Sequence, residues 1–276
     1  VIHQNVTSLA TSCDYVTLNN ETVWLSTGSI SFDATTIEYW GTLLNGGQLI
    51  LTSTDTLLET ARFKAALLQN KVNTLWMTAS WFHQVVEEDL TVFESINYLL
   101  VGGDVVLPNY TNQVNAQYPE LNIVNGYGPT ENTTFSATHP IPITEGTLPV
   151  GKPIRNRFAY IIDANNQLVP RGVVGELVVG GAGVARGYLN NEALTNERFV
   201  ANPFREGDRL YKTGDLAKWL PDGTIELTGR IDDQVKVRGY RIELGEIENA
   251  LSLIDGVQQS CVLARADSNG NNRLVA

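Results

Sequence analysis

The sequence predicts an α/β protein: a large subdomain with a parallel sheet flanked by helices plus a distorted β-barrel region, followed by the start of a small α+β C-terminal subdomain. Three observations predict it. Residues 37–136 alternate short apolar strand-like runs with stretches of helical periodicity. From about residue 146 strand-like runs follow one another, separated by Gly, Pro, Asn and Asp. Near residue 230 the texture changes again, to strand–turn–strand, an acidic helical stretch and a strand. Strands separated by helices pair in parallel and are covered on both faces. Strands joined by tight turns pair antiparallel.

In chain order, VIHQNVTSLATS reads as a helix already in progress, with no start signal before it. Residues 47–52 (GQLILT) read as a buried strand, and 56–69 have apolar residues at helical spacing. Residues 72–77 (VNTLWM) read as a strand, 80–89 as a helix, 96–101 (INYLLV) as a strand, 108–117 as a weak helix and 120–125 (ELNIVN) as a strand. Further strands are expected at 158–163, 174–179, 209–212, 215–220 and 224–228, with Pro221-Asp222-Gly223 turning the chain. QVKVRGYRI is a strand–turn–strand pattern, ELGEIENAL an acidic helix and QQSCVLARA a strand, while NNRLVA stops on a strand. The expected division is 1–230 for the large subdomain and 231–276 for the beginning of the small one. Both ends read as cut from a longer polypeptide.

Bulk composition excludes several classes of function. The 276 residues are 43% hydrophobic and 18% charged, which is enough to build a sizeable core. The net charge is -11 with no basic cluster, so no nucleic-acid partner is expected. No apolar run approaches the ~18 residues of a membrane span, so no membrane partner is expected. Cys13 and Cys261 are far apart, and read as small buried thiols of a reducing compartment, consistent with a cytoplasmic protein. Asn-x-Ser/Thr patterns at Asn5, Asn20, Asn109 and Asn132 lack a secretory signal and read as chance.

Four stretches carry candidate chemistry. NGYGPTENTT (125–134) leaves the carboxyl end of a strand, where parallel sheets form their ligand crevice. Gly126 and Gly128 would let a ligand approach the backbone, Tyr127 offers a flat face for a base, Thr130 a hydroxyl, and Glu131 a carboxylate suited to Mg²⁺. Alone, it also reads as a plain Gly-Pro turn. GELVVGGAGVARGYLN (175–190) is glycine-rich, but lacks the Lys-Ser/Thr end of a phosphate loop and reads better as tight turns beside strands. In YKTGDL (211–216), Asp215 follows a Gly turn and could accept two ribose hydroxyls, or be a solvated turn residue. GRIDDQVKVRGYRIELGEIE (229–248) is dense in charge and alone reads as a solvated strand and helix face.

In this order and spacing the four stretches resemble the core motifs of the adenylate-forming superfamily, in the adenylation domains of nonribosomal peptide synthetases. SISFDATTIEYWGTLLNGG resembles the aspartate-bearing motif of that branch. The resemblance implies an ATP-dependent amino-acid-activating ligase working with ATP and Mg²⁺. It would hand its product to the phosphopantetheine of a peptidyl carrier domain, beside a condensation domain. It also implies residue roles. Gly126 and Tyr127 would lie at adenine, Thr130 at the α-phosphate, Glu131 at the metal, and Thr130 and Glu131 together at the reacting centre. Asp215 would bind the ribose hydroxyls, with Arg230 nearby. Asp232 would be the hinge of the small subdomain, with Lys236 and Gly239 on a strand and turn that face the active site in a second state. Asp33 would pair with the α-ammonium of the amino-acid substrate, although FDATTIEYW could equally start a helix at Asp33. Ala34, Ile37, Trp76, Leu100, Gly102, Gly126, Thr134 and Phe135 would line the side-chain pocket, although Trp76 also reads as a plain core tryptophan. None is charged, which implies a small or medium aliphatic amino acid such as valine.

Two parts of the family pattern are not found: the Ser/Thr/Gly-rich phosphate loop with its lysine, and a late catalytic lysine. The segment alone is therefore expected to adenylate poorly or not at all, for want of cationic stabilisation of the transition state. The competing readings are an acyl-CoA or aryl-acid ligase of the same superfamily, which would have no ammonium for Asp33, and a non-catalytic ligand-binding segment.

Overall fold

The computed structural model describes residues 1–276 except 12, 238, 239, 255 and 267–271. Gly239, expected on a turn facing the site, lies outside the described residues. The first layer is a seven-stranded sheet. Its strands are β1 (Val23–Leu25), β2 (Gln48–Ile50), β3 (Thr74–Thr78), β4 (Tyr98–Gly102), β5 (Asn122–Tyr127), β6 (Ala137–Pro140) and β7 (Lys152–Pro153), in the order β2-β1-β3-β4-β5-β6-β7. The first five are parallel, and β6 and β7 run antiparallel.

Alternation along these strands sorts the apolar residues into two cores. Leu75, Met77, Leu99, Val101 and Ile123 point to one face, with Phe63 of α3 (Thr60–Gln69), Phe82 and Val85 of α4 (Ala79–Glu88) and Val114 of α5 (Pro108–Gln117) packed over them. Trp76, Leu100 and Val124 lie in register across β3, β4 and β5 and point to the other face. Leu9 of α1 (His3–Ala10) and Ala34, Ile37, Phe135 and Ile154 complete that second core. The helical run expected over 56–69 is two helices, α2 (Thr54–Leu58) and α3, because the backbone at Glu59 is extended (φ -112°, ψ 107°).

The second layer is antiparallel: β8 (Arg157–Ile162), β9 (Gly175–Gly181), β10 (Phe199–Ala201) and β11 (Arg209–Trp219) in the order β10-β11-β9-β8, with β12 (Ile225–Arg230) also on β11. Helix α6 (Glu192–Arg198) leads into β10. Strands expected separately at 209–212 and 215–220 are one strand. Gly214, at φ +74°, takes up the irregularity as a bulge, so Asp215 sits within a strand instead of after a turn. The two layers join where Val150 N–H donates to the Ile225 carbonyl (2.8 Å).

Beyond Arg230 lie two small hairpins, β13 (Val235–Val237) with β14 (Tyr240–Ile242) and β15 (Leu263–Ala266) with β16 (Asn272–Val275), and the helix α7 (Leu244–Ser252). Among the described residues no helix is long and apolar enough to cross a membrane. The expectation of two buried thiols fails at Cys261, which is exposed. Cys13 is half-buried, and its thiol donates to the Leu9 carbonyl (2.9 Å).

Candidate functional site

The site gathers at the carboxyl ends of β3, β4 and β5, where the parallel strands release the chain. Thr78, Gly102 and Gly126 are register partners there. Two residues earlier on each strand, Trp76, Leu100 and Val124 face the same way, so Gly102 and Gly126 share their face. A Cβ on Gly102 would sit 2.1 Å from the Gly126 carbonyl oxygen. One on Gly126 would sit 2.5 Å from the Phe135 ring. One on Gly128 would sit 2.3 Å from the Thr134 carbonyl oxygen. The glycines expected to admit a ligand therefore admit the protein's own ring and loop first.

Strand β5 ends in a short 3₁₀ turn, Thr130–Asn132, followed by Thr133 and Thr134 at φ +56° and +64°. Two consecutive β-branched residues in the left-handed region are sterically unfavourable and persist only where surroundings hold them. The holding contacts are visible. Thr133 Oγ1 donates to the Gly183 carbonyl (2.8 Å), and Thr134 Oγ1 to the Asp33 carbonyl (2.8 Å). Arg157, 7% exposed, donates from Nη1 to the carbonyls of Asn132 and Thr133 (3.1 Å for the latter). Burial lowers the Arg157 pKa to about 10.

This loop meets Asp33. Thr130 Oγ1 donates to Asp33 Oδ2 (2.7 Å). Asp33 is half-buried, and burial raises its pKa above the usual carboxylate value. The Thr130 hydroxyl offsets part of this, and the Glu131 charge adds to it. The helix-start alternative receives half support. The Asp33 carbonyl accepts from Thr36 N–H (2.9 Å) and the chain turns helical from Thr35, but the side chain turns to Thr130.

Ala34, Ile37, Trp76, Leu100 and Phe135 are buried in one apolar cluster, with the Trp76 and Phe135 rings 5.3 Å apart. Thr134, Gly102 and Gly126 are buried at its edge. Every residue expected in the side-chain pocket is thus brought together.

The residues expected at the nucleotide form a second group. Glu131 is buried and its Oε1 accepts from Tyr188 OH (2.6 Å), which also lies 3.2 Å from Tyr211 OH. Tyr127 is only 7% exposed, within the core of the second layer, and its hydroxyl donates to Asp215 Oδ2. An open stacking face was expected of this ring. Most of it is instead spent on packing, because Ala137, Val150 and Tyr211 of the neighbouring strands and loop join it in that core. Asp215 Oδ1 accepts from Arg230 Nη1 (2.5 Å), and Arg230 grips Asp232 with Nε on Oδ1 (2.6 Å) and Nη2 on Oδ2 (2.8 Å). Burial tends to raise the Asp232 pKa, but Arg230 outweighs it and leaves it lowered. Lys236 lies close enough to Asp104, just beyond β4, to lower its carboxyl, although burial leaves that carboxyl raised overall.

Sequence reasoning missed Tyr188, Arg157 and Glu38. Tyr188 lies within the GVARGYL stretch, so its place in a motif was a usable signal. Arg157 has no local pattern that marks it. Glu38 could have been found as an acid among Ile37, Tyr39 and Trp40 in a helical run.

Among the described residues, no three His, Cys, Asp or Glu side chains form a metal-binding group. A single carboxylate, Glu131, beside the Thr130 hydroxyl still fits Mg²⁺, which commonly takes one or two carboxylates and completes its shell with phosphates and water.

A carboxylate network around Asp215 and Glu131 thus sits next to an uncharged cluster with its own acid, at the carboxyl edge of a parallel sheet. Comparison with known proteins agrees with that arrangement: the family model described as AMP-binding enzyme matches residues 1–189, and the chain belongs to that family. Within it, the chain goes with the adenylation domains of nonribosomal peptide synthetases. It is 50% identical over 277 residues to tyrocidine synthase 3 of Brevibacillus parabrevis, covering 100% of this chain and 4% of that protein. It is 47% identical over 277 residues to gramicidin S synthase 2 of Brevibacillus brevis, covering 100% of this chain and 6% of that protein. Among solved structures it resembles holo-PA1221, described as an NRPS protein containing adenylation and PCP domains. The TM-score is 0.92 at 33% identity, over 98% of this chain and 48% of that one. The chain thus spans a small part of these synthases and about half of that structure.

Proposed function

We propose that this chain carries the amino-acid and nucleotide sites of an amino-acid adenylation reaction. In it, a carboxylate oxygen of the amino acid bonds to the α-phosphorus of ATP as the bond to the β-phosphate oxygen breaks, giving aminoacyl-AMP and pyrophosphate. The aminoacyl group then passes to the phosphopantetheine thiol of a peptidyl carrier domain, with a condensation domain beside it. The carrier domain of PA1221 supports that partner.

The single observation that carries the reading is Asp33. It is a half-buried carboxylate set over an uncharged apolar cluster, held by neutral donors, the Thr130 hydroxyl and the backbone N–H groups of Ala34 and Thr134, and repelled by Glu131. Such a group gains most from a bound cation, and a substrate α-ammonium supplies one. Ala34, Ile37, Trp76, Leu100 and Phe135 would then receive the side chain, with Gly102, Gly126 and Thr134 at the rim. Bulky Trp76, Phe135, Ile37 and Leu100 would fill much of that space, which favours a small or medium aliphatic group such as valine. One methylene is worth only ~1–3 kcal/mol, so valine, isoleucine and leucine would not be sharply separated.

Asp215 would hold the ribose. Each of its oxygens already accepts one hydrogen bond, and an ionised carboxylate has about four acceptor sites, so two remain for vicinal hydroxyls. The adenine would lie against the Gly126–Gly128 backbone beside Tyr127. Thr130 would turn its hydroxyl to the α-phosphate, and Glu131, oriented by Tyr188, would hold Mg²⁺, which neutralises charge on the phosphate oxygens. Asp232 would be the hinge, with residues 1–230 and 231–276 belonging to the two subdomains.

Amino-acid-dependent ATP–pyrophosphate exchange, measured across twenty amino acids in the polypeptide that carries this chain, tests the reading. Exchange is expected with aliphatic amino acids. Exchange driven by a fatty or aryl acid and by no amino acid would overturn it. Asp33→Ala is expected to weaken amino-acid use at least 100-fold while ATP still binds, since removing one partner of a buried ion pair costs roughly 3–5 kcal/mol.

A further inference from the structure

Glu38 is an acid where the local sequence offers no reason for one. It follows Ile37 and precedes Tyr39 and Trp40, on a π-helical turn, Ile37–Gly41, that begins four residues after Asp33. Its side chain is fully buried, at 0% exposure. A carboxylate in that position persists only if its acceptors are served. They are served by one segment. Ser26 Oγ donates to Oε2 (2.8 Å), Thr27 N–H and Oγ1 lie 3.1 and 2.9 Å from Oε1, and Gly28 N–H lies 3.3 and 3.4 Å from the two oxygens.

These donors belong to the chain leaving β1 at its carboxyl end, and they are neutral. The Thr27 hydroxyl also lies 2.6 Å from the Trp76 carbonyl, so its one hydrogen is shared between β3 and Glu38. Gly28 must approach the helix closely: a Cβ there would sit 2.9 Å from Thr35 Cγ2 and 3.5 Å from Glu38 Oε2. One carboxylate therefore ties residues 26–28, the Trp76 backbone and the turn bearing Ile37 into a single unit. Asp33 and Ala34 enter that turn directly. π-Helical turns of this kind recur at functional sites, where they aim side chains that a regular helix would not.

We propose that Glu38 is a positioning residue for amino-acid selection: through residues 26–28 it sets the placement of Asp33 and Ile37 against Trp76. This rests on the reading of Asp33 and its cluster as the amino-acid site. Glu38 touches no substrate. Its carboxylate acts by holding the two walls of the site at a constant separation, so it bears on amino-acid binding and not on the nucleotide group around Asp215. Consistent with this, burial raises the Glu38 pKa, and the donors from Ser26, Thr27 and Gly28 work against that rise.

The test compares KM for the amino acid, KM for ATP and kcat in pyrophosphate exchange, with thermal midpoints, for Glu38→Gln, Ser26→Ala and Asp33→Ala in the polypeptide that carries this chain. Glu38→Gln keeps the shape but turns an acceptor into a donor facing donors. It is expected to raise the amino-acid KM about tenfold, with the KM for ATP and kcat within about threefold of the parent. An unchanged amino-acid KM overturns the proposal. So does a parallel rise in both KM values with a lowered thermal midpoint, which marks a general structural role. If Glu38→Gln does not fold, Ser26→Ala, which removes one donor, decides on the same criteria with a smaller rise of about threefold. If Asp33→Ala loses exchange while Glu38→Gln keeps its amino-acid KM, only the Glu38 role fails. If Asp33→Ala keeps full exchange, the site reading fails and the Glu38 role falls with it.

Discussion

Asp33 and Glu38 are both acids raised in pKa by burial, yet they differ in what surrounds them. Glu38 has hydroxyl and amide donors on both oxygens. Asp33 has the Thr130 hydroxyl on one and backbone N–H donors from Ala34 and Thr134, but the Glu131 charge lies nearby. A raised folded-state pKa means the folded protein holds the proton more tightly than the unfolded chain. The contribution of Asp33 to stability is then fully present below its unfolded pKa and is lost as pH rises through its folded pKa. At neutral pH the ionised, unliganded Asp33 costs stability. Asp33→Asn is therefore expected to raise the denaturant midpoint at neutral pH while abolishing amino-acid-dependent exchange; a lowered midpoint would mean that Asp33 is structural. Amino-acid binding to the parent protein should also weaken on acidification at a higher pH than an ordinary aspartate would give, which calorimetric titration across acid pH would read.

At the scale of elements, the site depends on two tight meetings. The end of β5 passes so close to Phe135 that Gly126 has no room for a methyl group, and so close to β4 that Gly102 has none either. Gly126→Ala is expected to cost about 1–3 kcal/mol by overpacking and to impair the amino-acid KM more than the KM for ATP, as denaturant titration and pyrophosphate exchange would report. The Thr133–Thr134 pair is strained, and Arg157 holds the carbonyls of Asn132 and Thr133 from behind. Arg157→Ala is expected to cost several kcal/mol, because it leaves the buried carbonyls of Asn132 and Thr133 without that donor. Sequence periodicity marked the strands well, because alternation of apolar residues is local. It could not show that 209–219 is one strand, since Gly214 reads equally as a turn or a bulge until β9 and β12 fix its neighbours.

Across the whole molecule, Arg230 is the link between the nucleotide-side group and the residues that follow it. It holds Asp215 with one nitrogen and Asp232 with two others. If Asp232 is the hinge, ribose binding at Asp215 and movement at Asp232 share one guanidinium. Arg230→Ala is expected to raise the KM for ATP about tenfold, since hydrogen bonds between charged groups are worth roughly 1.5–3 kcal/mol. It should also speed amide exchange over the helix α7, Leu244–Ser252. Unchanged exchange there would separate the hinge from the nucleotide group.

The sequence by itself determined strands β2 to β5 of the first layer with the helical stretches between them, though not β1, β6 and β7, together with the change of texture near 146 and 230 and the motifs that mark the family. These are legible because apolar period, turn chemistry and motif spacing are properties of neighbouring residues. Only the tertiary structure decided that Gly126 and Gly128 make room for the protein's own ring and loop, that Tyr127 is largely consumed by the core, and that Tyr188 reaches Glu131 from 57 residues away. It alone decided that Glu38 belongs with Ser26 and Thr27. Those facts depend on which strand lies beside which and on how closely backbones approach, and no local pattern encodes a contact between segments that meet only when the sheet assembles.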